Sequence, residues 1–546
     1  MIFKRVFIAI IFLFAARTAA QETGFTHQDS LRGSITKERA WWDLLHYDLS
    51  VNIDTSSKSI SGSNSIKYQV LQPYQEMQID LQPPMQVGAF IQDQDTLQYR
   101  KDGNAYFVNL NKKQSKDSIF ELKIVFSGTP KVSKNPPWDD GFTWSVDSNG
   151  KPFIATSCQG GGASIWWPCK DHMYDEPDTG ITMHITVPDN LMDVSNGRLI
   201  KTQQNADHTK TYTWNVVNPI NNYGVNVNVG DYVHFSEVFK GEKGKLDCDY
   251  YVLRPDLDKA RAQFKQVPLM LKAFEYWFGP YPFYEDSYKL VEAPYLGMEH
   301  QSSVTYGNGF RNGYRGYDLS NTGWGLKFDF IIIHESGHEW FANNITYKDI
   351  ADMWIHEGFT AYSENLYLDY YYGKDAASAY VIGTRMNIRN DRPIIGHYNV
   401  NKEGSGDMYY KGANMLHTLR QIVNDDRKWR DILRGLNATF YHQTVTTDQI
   451  EDYLGAHTGL DLDPFFDQYL RTTQIPELEY AQEKGKLKYR WIHTVPDFKM
   501  PVKIFINDQE VWLYPTTSWK ENKISGIADI KADPNFYIQV KEDKEK

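Results

Sequence analysis

His334-Glu335-Ser336-Gly337-His338, followed after eighteen intervening residues by Glu357, sets two imidazoles and a carboxylate where they can ligate one zinc ion and leave its fourth position to water. On a helix of 3.6 residues per turn, positions i and i+4 share a face, so His334 and His338 project toward one point. Glu335 is rotated by about 100° from its neighbouring ligand. It therefore addresses a water rather than the metal, which makes it the general base of a hydrolase. A structural pair of core histidines is the plainer reading of the five-residue motif, and the carboxylate on a separate predicted helix weighs against it.

Such ligands need rigid supports. The run Phe328 to Ile333 and the following Trp340-Phe341 are apolar on nearly every side, which predicts a helix buried in a domain core. Met353 to Tyr372 predicts a second helix opened by Glu357. Glu364 falls two turns later on the same face, where it can accept a hydrogen bond from a ligand histidine and fix its tautomer.

Around these helices the pattern changes twice. From Trp41 to about Val238, short alternating runs such as Tyr47–Ile53 and Ile181–Val187 predict half-buried antiparallel strands. Asp256 to Trp277 carries apolar residues at helical spacing, and helices are expected to about Leu470. Beyond Pro476 the alternation returns, in Leu487–Ile492 and Val502–Ile506, over a length that suits a small β-sandwich. The expected fold is a multidomain α+β chain. Its parts are a signal peptide at 1–20, an N-terminal antiparallel β domain at 21–238, a mainly α zinc catalytic domain at 239–475 and a C-terminal β-sandwich at 476–546.

Lys4 and Arg5 precede the apolar run Val6 to Ala16, and Thr18-Ala19-Ala20 supplies small residues before Gln21, the pattern of a cleaved secretory signal. An uncleaved signal anchor is the alternative; export to a periplasmic or extracellular location is the expectation. A formal charge of −11 without a basic run argues against nucleic acid or an anionic membrane as partner. No later stretch is apolar and long enough to span a bilayer. Oligomeric state is left open. Of three cysteines, Cys158 and Cys169 can pair across a short Gly-rich loop, leaving Cys248 free. Between Gly307 and Gly325 six glycines alternate with aromatic residues, which predicts a long loop over the site. Arg311 and Arg315 within it are either solvated or placed to meet a substrate carboxylate.

The motif with its eighteen-residue gap resembles the gluzincin aminopeptidases of the aminopeptidase N type, and the resemblance runs from about Tyr47 to Ile475. It implies a thermolysin-like catalytic domain and one zinc per chain. Pro294-Tyr295-Leu296-Gly297-Met298-Glu299-His300 is similar to that family's Gly-Ala-Met-Glu-Asn segment, with Leu296 in place of the first glycine and His300 in place of the asparagine. The resemblance implies that Glu299 pairs with the substrate's free α-amine, beside Gly297 and Met298 as substrate-binding positions. Gln159, followed by Trp167-Pro168-Cys169-Lys170-Asp171, matches a residue that helps hold the amine. Tyr409-Tyr410-Lys411-Gly412 resembles the family's Tyr-Glu-Lys-Gly segment, which implies Tyr409 as hydrogen-bond donor to the oxyanion.

Many relatives continue into a large helical C-terminal domain over the cleft. No such domain is expected here, so the cleft is expected either to be more open, admitting longer peptides, or to be closed by another subunit. The function implied is a secreted zinc aminopeptidase acting on peptides with a free N-terminus. An endopeptidase, an epoxide hydrolase like the leukotriene-forming member of the family, and a non-catalytic peptide-binding relative are the competing readings.

Overall fold

The computed structural model describes residues 24–483, 485–524, 526–527 and 529–544, so the expected signal peptide lies outside the described residues. In the first unit, Trp42–Asp54 is central to an eight-stranded sheet, paired antiparallel with Ser59–Val70 and parallel with Ile181–Pro188. Along the last of these strands every second residue is buried: Ile181, Met183, Ile185 and Val187 face the core, as a period of two demands. A four-stranded sheet contains Pro152–Ser157 and Asn228–Gly230, and its apolar residues share one core with those of the larger sheet, including Trp166, Trp167 and Trp214. The turn leaving Pro152–Ser157 carries Gln159.

The expected boundary between 238 and 239 needs correction. Tyr232–Gly241 pairs along its whole length with Gly244–Leu253, and that hairpin joins Tyr288–Glu292, Val304–Tyr306 and Gly297–Met298 in one five-stranded sheet. A cut at 238 would split a strand. Alternation looks alike in either domain, and only the pairing partner, here Tyr288–Glu292 across a parallel ladder, assigns the hairpin to the second unit.

The helical spacing of Asp256 to Trp277 corresponds to two helices, Leu257–Gln263 and Gln266–Phe278. Helices Phe330–Gly337, Trp354–Tyr372, Lys374–Gly383 and Tyr410–Val423 follow and enclose a core with Trp340, Trp354, Phe359 and Leu416. After residue 476, two sheets of four and three strands form, with Lys486–Ile492 and Val502–Ile506 as inner strands. Their apolar faces, Leu487, Trp491, Val502 and Ile504 among them, are continuous with the core of the helical unit. Cys158, Cys169 and Cys248 are buried free thiols, so the bridge considered between the first two is not formed. Among the described residues, no helix is long and apolar enough to cross a membrane.

Candidate metal centre and active site

Asp329 starts the helix that bears the two histidines. Its carboxylate accepts from the backbone N–H of Ile331 at 3.1 Å and from the Tyr306 hydroxyl, Asn308 Nδ2 and Gln263 Nε2 at 2.7–2.8 Å. The α-helix is shorter than the apolar pattern suggested. It ends at Gly337, with His338 still helical at φ −64°, ψ −17°, and the backbone then breaks at Phe341 and Ala342. The i, i+4 relation survives because the break comes after the second ligand. It also turns the Phe341 carbonyl back to within 3.0 Å of His338 Nδ1.

That carbonyl can only accept, so His338 carries its proton on Nδ1. His334 is fixed the same way, Nδ1 donating to Glu364 Oε1 at 2.7 Å, while the Tyr380 hydroxyl donates to the other oxygen of Glu364. Both Nε2 lone pairs are thereby freed on one side. Facing them is Glu357 from the first turn of Trp354–Tyr372, with Oε2 3.6 Å from His334 Nε2 and 3.3 Å from His338 Nε2. This oxygen is buried and has no hydrogen-bond partner. One donor atom from each of the three residues falls within 4.8 Å of the others. Two imidazoles with Nε2 directed inward and an orphaned carboxylate oxygen, converging in a buried space, fit a zinc ion. Burial opposes charge on Glu357, yet the two imidazoles hold its pKa well below the ordinary carboxylate range.

Glu335 is buried beside this set, and burial together with the Glu299 charge pushes its pKa up despite the nearby histidines. Gly297 lies across from it. A β-carbon there would meet Ile331 Cγ2 at 2.7 Å and Glu335 Oε1 at 3.0 Å, so only glycine lets the edge strand Gly297–Met298 lie this close to the helix. Glu299, one residue on, receives three donors. Gln159 Nε2 reaches its Oε1 at 2.7 Å, the Tyr223 hydroxyl reaches the same oxygen at 3.0 Å, and Asn343 Nδ2 holds its backbone carbonyl at 2.9 Å. Gln159 also lies 3.2 Å from Glu357 Oε1, which ties the two carboxylates together.

Tyr409 directly precedes the helix Tyr410–Val423, and its ring stacks over His334 with centroids 6.0 Å apart. Tyr410 lines the same cleft but does not stack on a ligand. Lys411 points elsewhere, its ammonium donating to the Thr472 carbonyl at 2.8 Å. Of the two departures from the Gly-Ala-Met-Glu-Asn pattern, Leu296 lines the cleft, whereas His300 turns into the protein, fully buried. Burial pulls the His300 pKa down to about 3 and keeps the ring neutral.

Gln159, Gly297, Met298, Glu299, His334, Glu335, His338, Glu357 and Tyr409 thus line one cleft of about 350 Å³, with Glu364 behind His334; Arg311 and Arg315 are not among its lining residues. Tyr223 and Asn343, which hold Glu299, were not foreseen. Asn343 stands five residues after His338 and was open to notice. Tyr223 sits in the turn Asn222–Gly224, and nothing in its sequence neighbourhood marks it. Trp138 was also missed, although Pro136-Pro137-Trp138-Asp139 reads as a turn bearing an aromatic residue.

Residues 44–223 match the Peptidase M1 N-terminal domain, and residues 264–469 match the Peptidase family M1 domain. Leucine aminopeptidase 2 of Vanderwaltozyma polyspora is 24% identical over 441 residues, covering 78% of this chain and 58% of its own. Endoplasmic reticulum aminopeptidase 1 of Mus musculus is 24% identical, covering 54% of this chain and 32% of its own. This chain therefore spans about a third to three fifths of these two relatives. The crystal structure of an M1 zinc metallopeptidase from Deinococcus radiodurans superposes with a TM-score of 0.66 at 20% identity, covering 80% of this chain and 95% of that one. With both domain models matched in order over well more than half of its length, the chain belongs to peptidase family M1.

Proposed function

We propose that the protein is an exported zinc aminopeptidase that removes the N-terminal residue of peptides. The observation that carries this reading is Glu299. It is a buried carboxylate held by Gln159 and Tyr223, and one of its oxygens lies within 4.8 Å of donor atoms of Glu335 and His338. A carboxylate fixed there binds an ammonium and places the first peptide bond against the general base. The aminopeptidase names of the relatives agree with it, as does the Tyr-Ser-Ala substrate named for a mutant of the Deinococcus protein.

His334, His338 and Glu357 would hold the zinc, which would supply a Lewis acid for the carbonyl and for water. Glu335 takes a proton from the attacking water and delivers it to the leaving nitrogen. The Tyr409 hydroxyl donates to the oxygen that becomes negative, where one donor is worth roughly 3 to 4 kcal/mol. Glu364 keeps His334 in the tautomer that presents Nε2. Export rests on the Lys4 to Ala20 pattern, and N-terminal sequencing of protein recovered outside the cytoplasm should begin near Gln21.

Parallel assays of one peptide with a free and an acetylated N-terminus test the substrate logic. Only the free peptide should be trimmed. Equal cleavage of both would favour an endopeptidase. A Glu335→Gln variant should keep its zinc and lose nearly all turnover, and near-normal rates would remove Glu335 from the base role.

A further inference from the structure

The Gly-rich loop between 307 and 325 carries an unpaired cation to the mouth of the cleft. Tyr314 of this loop lines the cleft, and its ring meets Phe330 edge to face at 5.3 Å between centroids; Phe330 in turn stacks on His334 at 5.0 Å. Arg315, the next residue, lays its guanidinium over Trp138 of the β unit, 5.5 Å from the ring centroid. Trp138 also lines the cleft, yet it is 55% exposed. The two residues meet across the opening, one from each unit.

The pair is built rather than incidental. Arg315 stands at φ 54°, a left-handed conformation rarely taken by a long side chain, and such strain collects at functional positions. Asn308 sustains it: its Oδ1 accepts from the Arg315 N–H at 2.8 Å, while its Nδ2 donates to Asp329, the cap of the metal-site helix, at 2.8 Å. The loop is thereby referenced to the helix that bears the ligands. On the other side, Asp139 closes the Trp138 turn by accepting from the N–H groups of Lys134 and Asn135 at 2.7 and 2.9 Å. Among the described residues no carboxylate forms an ion pair with Arg315, whose charge is open to a ligand.

The direction of a bound peptide follows from the same residues. Glu299 marks the amine end and lies beside His338, whereas Phe330 is at the other end of the helix. Leaving residues therefore run toward Phe330, Tyr314 and the Trp138–Arg315 pair. An extended chain advances about 3.5 Å per residue, so two or three residues past the scissile bond carry the terminal carboxylate across the two ring contacts.

We propose that Arg315, seated on Trp138, is a specificity residue that binds the free C-terminal carboxylate of short peptides and makes tri- and tetrapeptides preferred substrates. It rests on the aminopeptidase reading above. A planar guanidinium takes a carboxylate in two parallel hydrogen bonds, and the indole face holds it in place before the ligand arrives. Longer peptides still enter, without this contact.

Ala-Ala-Ala and its C-terminal amide, which differ only in that charge, provide the test. The kcat/KM of the unaltered enzyme should favour the acid by at least about fivefold, chiefly through KM, and Arg315→Gln should bring the ratio close to one. Calorimetric Kd values for the same two peptides, measured on Glu335→Gln and on Glu335→Gln combined with Arg315→Gln, read the preference without turnover. Equal values for acid and amide, or a preference that survives Arg315→Gln, overturn the proposal. Should the enzyme cleave neither peptide, the aminopeptidase reading fails, and the Kd ratio still decides the role of Arg315.

Discussion

Gln159 Nε2 donates to Glu299 Oε1 at 2.7 Å, a contact between residues 140 positions apart that joins the β unit to the end of the edge strand Gly297–Met298. The same amide lies 3.2 Å from Glu357. One neutral side chain thus spaces the carboxylate proposed for the substrate from the carboxylate proposed for the metal. Truncation to alanine removes a hydrogen bond to a charged group, worth about 1.5–3 kcal/mol. Gln159→Ala should therefore lower kcat/KM for free-amine peptides by roughly ten- to a hundredfold, while zinc content measured by atomic absorption stays at the level of the unaltered protein. A loss of zinc instead would place Gln159 with the metal rather than the amine.

Glu364 orients His334 from behind and is itself held by the Tyr380 hydroxyl. Glu364→Gln keeps the shape and removes the charge that fixes the Nδ1–H tautomer. Zinc affinity, followed by competition with a chromophoric chelator, should fall by about ten- to a hundredfold. Tyr380→Phe acts one step further out and should cost less.

Gly412 packs against Gly358, and a β-carbon on Gly412 would stand 3.0 Å from Gly358 Cα. The helices Trp354–Tyr372 and Tyr410–Val423 meet at this point, with Glu357 adjacent to Gly358 and Tyr409 three residues before Gly412. Gly412→Ala must push them apart, at about 1–3 kcal/mol of overpacking. Urea denaturation should show that loss, and kcat should fall further than stability alone explains because the Tyr409 hydroxyl moves off the oxyanion position. Gly358→Ala, whose β-carbon would meet Met408 O at 3.2 Å and Gly412 Cα at 3.4 Å, should be milder.

Burial at the end of the strand Tyr288–Glu292 raises the Glu292 pKa to about 8, opposed by a hydrogen bond from the Leu253 N–H and reinforced by Asp256. A folded-state pKa above the unfolded value means the native protein holds the proton longer, so stability falls as pH rises from about 4.5 toward 8. The loss is bounded at roughly 1.4 kcal/mol per pKa unit. Glu292→Gln should flatten this decline: the difference in Tm between pH 5 and pH 8 should shrink relative to the unaltered protein. A Tm difference that persists unchanged would assign the pH dependence to other groups.

His334, Glu335, His338, Glu357 and Glu364 were legible because each relation among them is local to one helix or to a fixed gap between two, and helical periodicity is written in the sequence. The same holds for strands such as Ile181–Pro188 and Val502–Ile506, whose alternation names both element and buried face. The domain boundary was not legible in this way. Tyr232–Gly241 alternates like its predecessors, and only its ladder with Gly244–Leu253, and through that strand with Tyr288–Glu292, shows where it belongs.

By itself the sequence determined which groups stand together at the centre: two imidazoles and two carboxylates, Glu357 and Glu335, fixed by spacing along the chain. The tertiary structure decided what surrounds that centre. Tyr223, Gln159 and Asn343 meet at Glu299 from positions as many as 140 residues away from it, and Trp138 meets Arg315 across two units. No periodicity records such meetings, because the packing of whole sheets and helices brings those side chains together, and that packing depends on every buried contact at once.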